Sequence, residues 1–304
     1  MYLKDNNGDI ASSKNYRAIA ISSLILKILD LCVLLLIGHL LSSDDLQYGF
    51  QKGCSTLQCT WAVQETIGHF LRNDSDVFVC LLDFSKAFDK VNFEELFKKL
   101  IQRKVPYIIL KLLFFIYTYQ KCYVKWNSQK SQVFSIQNGV RQGAILSPCL
   151  FCLYLDSLLM NLRNSGFGCQ IGGIYLGAFG YADDVILMSP SRESLQLMLN
   201  ICQEFADKHS MLFSTDPVPS KSKTKCMHFT MTNKKTVPKL KLNGEFLPWV
   251  DSAKHLGNSL TTKVCFNGSG MDTTSDLLQK RAIFYQKVHE LKQAYSFYEP
   301  STVC

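Results

Sequence analysis

Apolar and polar residues follow two different periods along this chain, and the changes of period mark out its elements. Residues 22–41 and 55–71 carry apolar side chains at helical spacing, separated by the turn-rich SSDDLQYGFQKG. VFVCLLDF at 77–84 is short, apolar and bounded by polar residues, which predicts a buried strand. Asn92 and Glu95 then have capping-box spacing at the head of a helix, NFEELFKKLIQRK. Residues 122–126 and 132–137, joined by NSQKS, predict a β-hairpin, and 146–162 a largely buried helix. Residues 178–188 read as strand, tight turn, strand, with Ala182, Asp183 and Asp184 at the turn. Ser191 caps a further helix on which Leu195, Met198, Leu199, Cys202 and Phe205 repeat at helical spacing. A last amphipathic helix is expected at 276–293, and residues 1–14 read as a polar loop. Strands mixed with separate helices predict an α+β fold.

Composition adds bounds rather than identity. A chain of 304 residues that is 47% hydrophobic can bury a large core, as one domain or two closely packed ones. A formal charge of +8 suits a nucleic-acid partner without requiring one. Seven lysines and no acid lie between Lys221 and Lys241, a run that reads equally as a solvated face or as part of a nucleic-acid channel. The twelve cysteines sit mostly in apolar runs such as CLFCLYL, and no signal peptide opens the chain. Reduced, buried, structural thiols without a disulfide partner are expected, in an intracellular protein of nucleus or cytoplasm. Cys149 and Cys152 have zinc-like spacing, but no second pair lies near and the histidines are scattered. Lys27 and Asp30 interrupt the apolar run at 24–41, leaving it too short to span a membrane.

The chemistry lies in the acids. Asp83 ends one apolar strand, and Asp183 and Asp184 sit on a hairpin. Placed side by side in one sheet, the three carboxylates would repel one another, which favours hard divalent cations with oxygen ligands: Mg²⁺, with Mn²⁺ as its substitute. Two such ions can activate a 3′-hydroxyl and stabilise leaving pyrophosphate. Taken alone, YADD equally describes an ordinary turn bearing two solvated acids.

Order and spacing separate the two readings. NYRAIAISS from Asn15, LQYGFQKGCST from Leu46, LLDFSKAFDKVN from Leu81, GVRQGAILSPCLF from Gly139, YADDVIL from Tyr181, FSTDPVPSKSKTKC from Phe213 and KHLGNSL from Lys254 follow one another. In this order they resemble the reverse transcriptases of non-LTR (LINE-type) retrotransposons, most closely the jockey-like group, over nearly the whole chain. The resemblance implies a right-hand polymerase with an α+β palm, partial fingers and a truncated helical thumb. Residues 10–235 would form fingers and palm, and 236–304 the primer-grip region and the start of the thumb. An RNA template, a DNA primer and dNTPs would be the partners.

The resemblance also implies roles. Asp83 and Asp183 would be the principal metal ligands with Asp184 beside them, and the Phe84 main-chain carbonyl would complete an oxygen shell. Phe88 would be the steric gate that excludes a ribose 2′-hydroxyl, which disfavours an RNA-dependent RNA polymerase. Gln142 and Gly143 would lie beneath the incoming nucleotide, and Arg17 and Lys52 would hold its triphosphate. Lys223, or else Lys221, would protonate pyrophosphate. Leu256 and Gly257 would form the primer-grip turn.

The chain departs from the family pattern in three places. Arg17-Ala18-Ile19 stands where RPI is usual, Gln51 and Cys54 replace two arginines, and Asp30 stands for Glu. Full-length relatives also carry an endonuclease, more fingers and more thumb than is expected here. The competing reading is therefore an inactive or co-opted remnant that only binds nucleic acid.

Overall fold

The computed structural model describes residues 2–3, 11–12, 15–17, 19–216, 218, 221–232, 237–262 and 286. The helix expected at 276–293 and the start of the thumb lie outside the described residues, Gln286 apart.

At the centre is a four-stranded antiparallel sheet of β1 (Val77–Asp83), β2 (Ala178–Tyr181), β3 (Asp184–Ser189) and β4 (Lys225–Phe229), in the order β2-β3-β1-β4. Consecutive residues of β1 and β3 are buried, so both faces of the sheet are covered. This explains why these strands read as unbroken apolar runs rather than as alternation. A separate hairpin, β5 (Ser252–His255) and β6 (Asn258–Thr261), follows.

The helices are α1 (Leu24–Ile37), α2 (Thr56–Arg72), α3 (Phe93–Gln102), α4 (Tyr107–Thr118), α5 (Ser147–Asn164) and α6 (Arg192–Lys208). Of these, α2, α5 and α6 pack on the sheet. The middle of α5 is buried all round, Leu150 through Asp156, as befits a helix at the centre of a core. Its buried Asp156 pairs with Arg103 after α3 and accepts the Asp44 N–H at 2.6 Å, which ties three segments together.

Side-chain caps open four of the described helices. Ser55 and Gln58 form a reciprocal capping box on α2, and Ser191 accepts the Ser194 N–H on α6. All five residues expected on the apolar stripe of α6 are buried. At α3 only half of the predicted box forms. Asn92 accepts the Glu95 N–H at 3.2 Å, but the Glu95 carboxylate turns to Lys98 and the Asn92 N–H donates to the Tyr154 hydroxyl.

Two further expectations are corrected, and one helix forms where none was expected. The hairpin after α4 turns on two residues, Asn127 and Ser128, because Asn127 takes a left-handed φ of 51° and lets Trp126 pair with Gln129. Part of the N-terminal segment is a strand, since Tyr2–Leu3 pairs with Tyr16–Arg17. YIILKLLFFIYT, too uniformly apolar to show a period, forms α4. Six of the ten described cysteines are buried and all ten are free, although Cys32 and Cys54 are exposed. No helix among the described residues is long and apolar enough to cross a membrane.

Ile186 on β3 is fully buried. Ile186→Ala is expected to cost about 2–5 kcal/mol by leaving a cavity between sheet and helices. A urea melt should show a lower midpoint at unchanged slope; a shift of under about 1 kcal/mol would mean the core is not packed as described.

Candidate active site

The register of β3 on β1 sets the geometry. Asp184 is the direct cross-strand partner of Asp83, and the pairing continues through Val185–Leu82 to Ser189–Phe78. Residues opposite one another in a ladder project to the same face, so the two carboxylates share one side of the sheet. The end of β1 is pinned on the edge away from β3: the Asp83 N–H donates to the Thr224 hydroxyl, and its carbonyl accepts the Ser214 N–H at 2.7 Å. Phe84 is buried and bridges Phe213, with the rings 4.4 Å apart.

Asp183 lies in the turn between β2 and β3. Burial pushes the Cys152 thiol on α5 up to about 12, with the charge of Asp183 among the smaller contributions. Burial likewise raises Cys59 on α2 to about 12, and there the charge of Asp184 adds.

The turn itself is held by the segment that opens LQYGFQKGCST, from Leu46 to Gly49. Ala182 adopts a left-handed φ of 55°. The buried side chain of Gln47 fixes it, with Oε1 accepting the N–H groups of Ala182 at 2.8 Å and Gly49 at 2.9 Å. Leu46 and Tyr48 add main-chain bonds to Gly180, both 2.8 Å, extending the sheet beyond β2. Gly49 is required because a Cβ there would sit 2.3 Å from the Ala182 nitrogen.

A cavity of about 710 Å³ opens on the Asp83–Asp184 face, lined also by Lys221, Lys223, His255 and Leu256. Lys223 Nζ is 3.7 Å from the Asp83 carboxylate, while Asp183 is not part of the lining. Among the described residues no three His, Cys, Asp or Glu side chains form a ready-made metal cage. The Asp83 and Asp184 carboxylates, facing one another across the ladder, are an oxygen donor pair of the kind that hard divalent cations take.

A family model for reverse transcriptases (RNA-dependent DNA polymerases) matches residues 3–260. The chain belongs to this family. It is similar to the Retrovirus-related Pol polyprotein from type-1 retrotransposable element R2 of Nasonia vitripennis, 33% identical over 125 residues, covering 41% of this chain and 12% of that protein. It is also similar to the RNA-directed DNA polymerase from mobile element jockey of Drosophila funebris, 25% identical over 246 residues, covering 76% and 25%. The chain therefore spans a quarter or less of these two relatives. Its fold is shared with the telomerase of Candida tropicalis at a TM-score of 0.53 and 12% identity, over 81% of this chain and 38% of that one.

The remaining predicted residues of this reverse-transcriptase domain lie on several separate elements. Phe88 stands on the turn after β1, half-buried, its ring stacked on Phe151 at 4.5 Å. Gln142 is held by its main-chain carbonyl, which accepts the Ala20 N–H at 3.0 Å. Gly143 takes a φ of 101° against Ala20. Arg141 is inward-facing, 3.5 Å from the buried Asp30 of α1 and with its guanidinium 5.6 Å from the Tyr117 ring centre. Asp30, noted from sequence only as a departure from Glu, is thus the partner that anchors this loop. Lys52 is exposed, and Arg17 lies in the short strand paired with Tyr2. Leu256 and Gly257 form the β5–β6 turn with φ of 49° and 78°. A left-handed Leu is strained, and such strain collects at functional turns.

Two predictions follow from these contacts. Gln47→Leu leaves two buried N–H groups without acceptors and should cost about 1–3 kcal/mol, with faster amide exchange at Ala182; unchanged exchange there would contradict the brace. Burial pushes His255 from 6.5 down to about 4. The unfolded chain therefore takes up a proton between those pH values that the folded one refuses. Stability should fall by about 3 kcal/mol as pH drops from about 6.5 to about 4. His255→Phe should flatten that part of a pH-dependent urea titration.

Proposed function

We propose that this chain performs RNA-directed DNA synthesis, joining dNTPs to a primer 3′-hydroxyl as the polymerase domain of a non-LTR retrotransposon. The reading is carried by one observation: Asp83 and Asp184 face each other in register at a cavity that also receives Lys223 and the β5–β6 turn. When bound, Mg²⁺ would supply charge neutralisation for both the attacking and leaving oxygens. Asp83 and Asp184 would hold it from the sheet and Asp183 from the turn, with the Phe84 carbonyl as a further oxygen.

The other residues act on the substrates. Lys223, closer to the acids than sequence alone could establish, would hand a proton to pyrophosphate, and Lys221 on the same cavity would support it electrostatically. Arg17 and Lys52 would hold the triphosphate, and Gln142 and Gly143 would floor the nucleotide. Phe88, backed by Phe151 so that it cannot yield, would reject a 2′-hydroxyl. Leu256 and Gly257 would seat the primer end.

Primer extension on an RNA template with Mg²⁺ and dNTPs tests this. Asp83→Ala and Asp183→Ala should each reduce incorporation by at least about a hundredfold. Phe88→Val should raise ribonucleotide use by about tenfold, the equivalent of relieving about 1.4 kcal/mol of clash. A wild-type chain that incorporates nothing yet binds RNA in a salt-sensitive way would replace the enzyme with a nucleic-acid-binding remnant.

A further inference from the structure

The hairpin between α4 and the Arg141 loop contributes nothing to the core, yet it is rich in groups that seldom stay in water without purpose. Along residues 121–135 there are three lysines, Lys121, Lys125 and Lys130, and no acid. Tyr123, Trp126 and Phe134 are exposed by 49%, 45% and 47%. The two short ladders that hold the ribbon, Lys121–Cys122 with Phe134–Ser135 and Lys125–Trp126 with Gln129–Lys130, bury neither face. Lys130 lies 5.2 Å from the Tyr123 ring centre, so cation and aromatic share one surface. Trp126 meets Tyr16 edge-on at 4.8 Å, which joins the ribbon to the strand that carries Arg17.

We infer that this hairpin is a contact surface for single-stranded RNA, the unpaired template near the finger strand. A polyanion matches three lysines unopposed by any carboxylate. Flat bases match aromatic rings left open, and stacking tolerates any sequence. A protein partner would be expected to meet a rim of mixed charge, whereas residues 121–135 carry lysines and no acid. The inference rests on the polymerase reading for its choice of template, but not for the binding itself.

The test is fluorescence anisotropy of the whole chain with a labelled single-stranded RNA 20-mer and with a blunt RNA duplex, over a salt series. Tyr123→Ala and Trp126→Ala should each weaken single-strand binding about tenfold and leave the duplex within twofold. Tyr123→Phe, which keeps the ring, should restore affinity. Replacing all three lysines with Ala should lower the slope of log K against log salt by about 2 for the single strand. Equal losses on single strand and duplex, or full affinity in Tyr123→Ala, would overturn the inference. Because Trp126 touches Tyr16, Tyr123→Ala is the deciding variant should Trp126→Ala unfold. If the wild type extends no primer but shows this binding pattern, the polymerase reading falls and the hairpin surface stands. Normal extension with hairpin-independent RNA binding gives the reverse.

Discussion

A strand pairing is only as specific as the side chains that must face the right way, and in this chain the pairing of β3 with β1 carries more than packing. Both strands are buried on both faces, so apolar content alone would tolerate a one-residue slip. The slip would send Asp184 to the opposite side of the sheet from Asp83. The register is held instead by what lies at the strand ends. Ser214 and Thr224 pin Asp83 on one side, and Gln47, with the main chain of Leu46 and Tyr48, pins the β2–β3 turn on the other. The cavity, the position of Lys223 and the approach of the β5–β6 turn all take their reference from that alignment.

This arrangement also sets two acids side by side on one edge of the sheet, with a third in the neighbouring turn. Asp83 and Asp184 line the cavity, and Asp183 sits in the adjoining β2–β3 turn. Oxygen ligands are left to be supplied by phosphate, so the geometry would be completed by substrate.

Much of the architecture was legible in residue pattern. Ser23, Ser55 and Ser191 stop the chain being helical before them by accepting orphan N–H groups, and such signals are local. Strand β1 announced itself through a short apolar run. What could not be read was decided by distant partners. The Glu95 half of the α3 capping box lost to Lys98 and Tyr154, and nothing near Asn92 in sequence foretells a tyrosine hydroxyl from α5. Helix α4 has no polar face to betray a period. The role of Gln47 depends on a contact with Ala182, 135 positions away. Asp30 and Arg141 likewise meet only once α1 and the loop before α5 are packed.

The central claim is that the register of the sheet builds a divalent-cation site from Asp83 and the YADD hairpin. Crystals of the chain with primer, RNA template and a non-hydrolysable dNTP, soaked in Mn²⁺, test it through anomalous scattering. An anomalous peak in contact with the carboxylates of Asp83 and of Asp183 or Asp184 is the predicted result. An ordered nucleotide with no such peak, or with Mn²⁺ bound only elsewhere, would contradict the account.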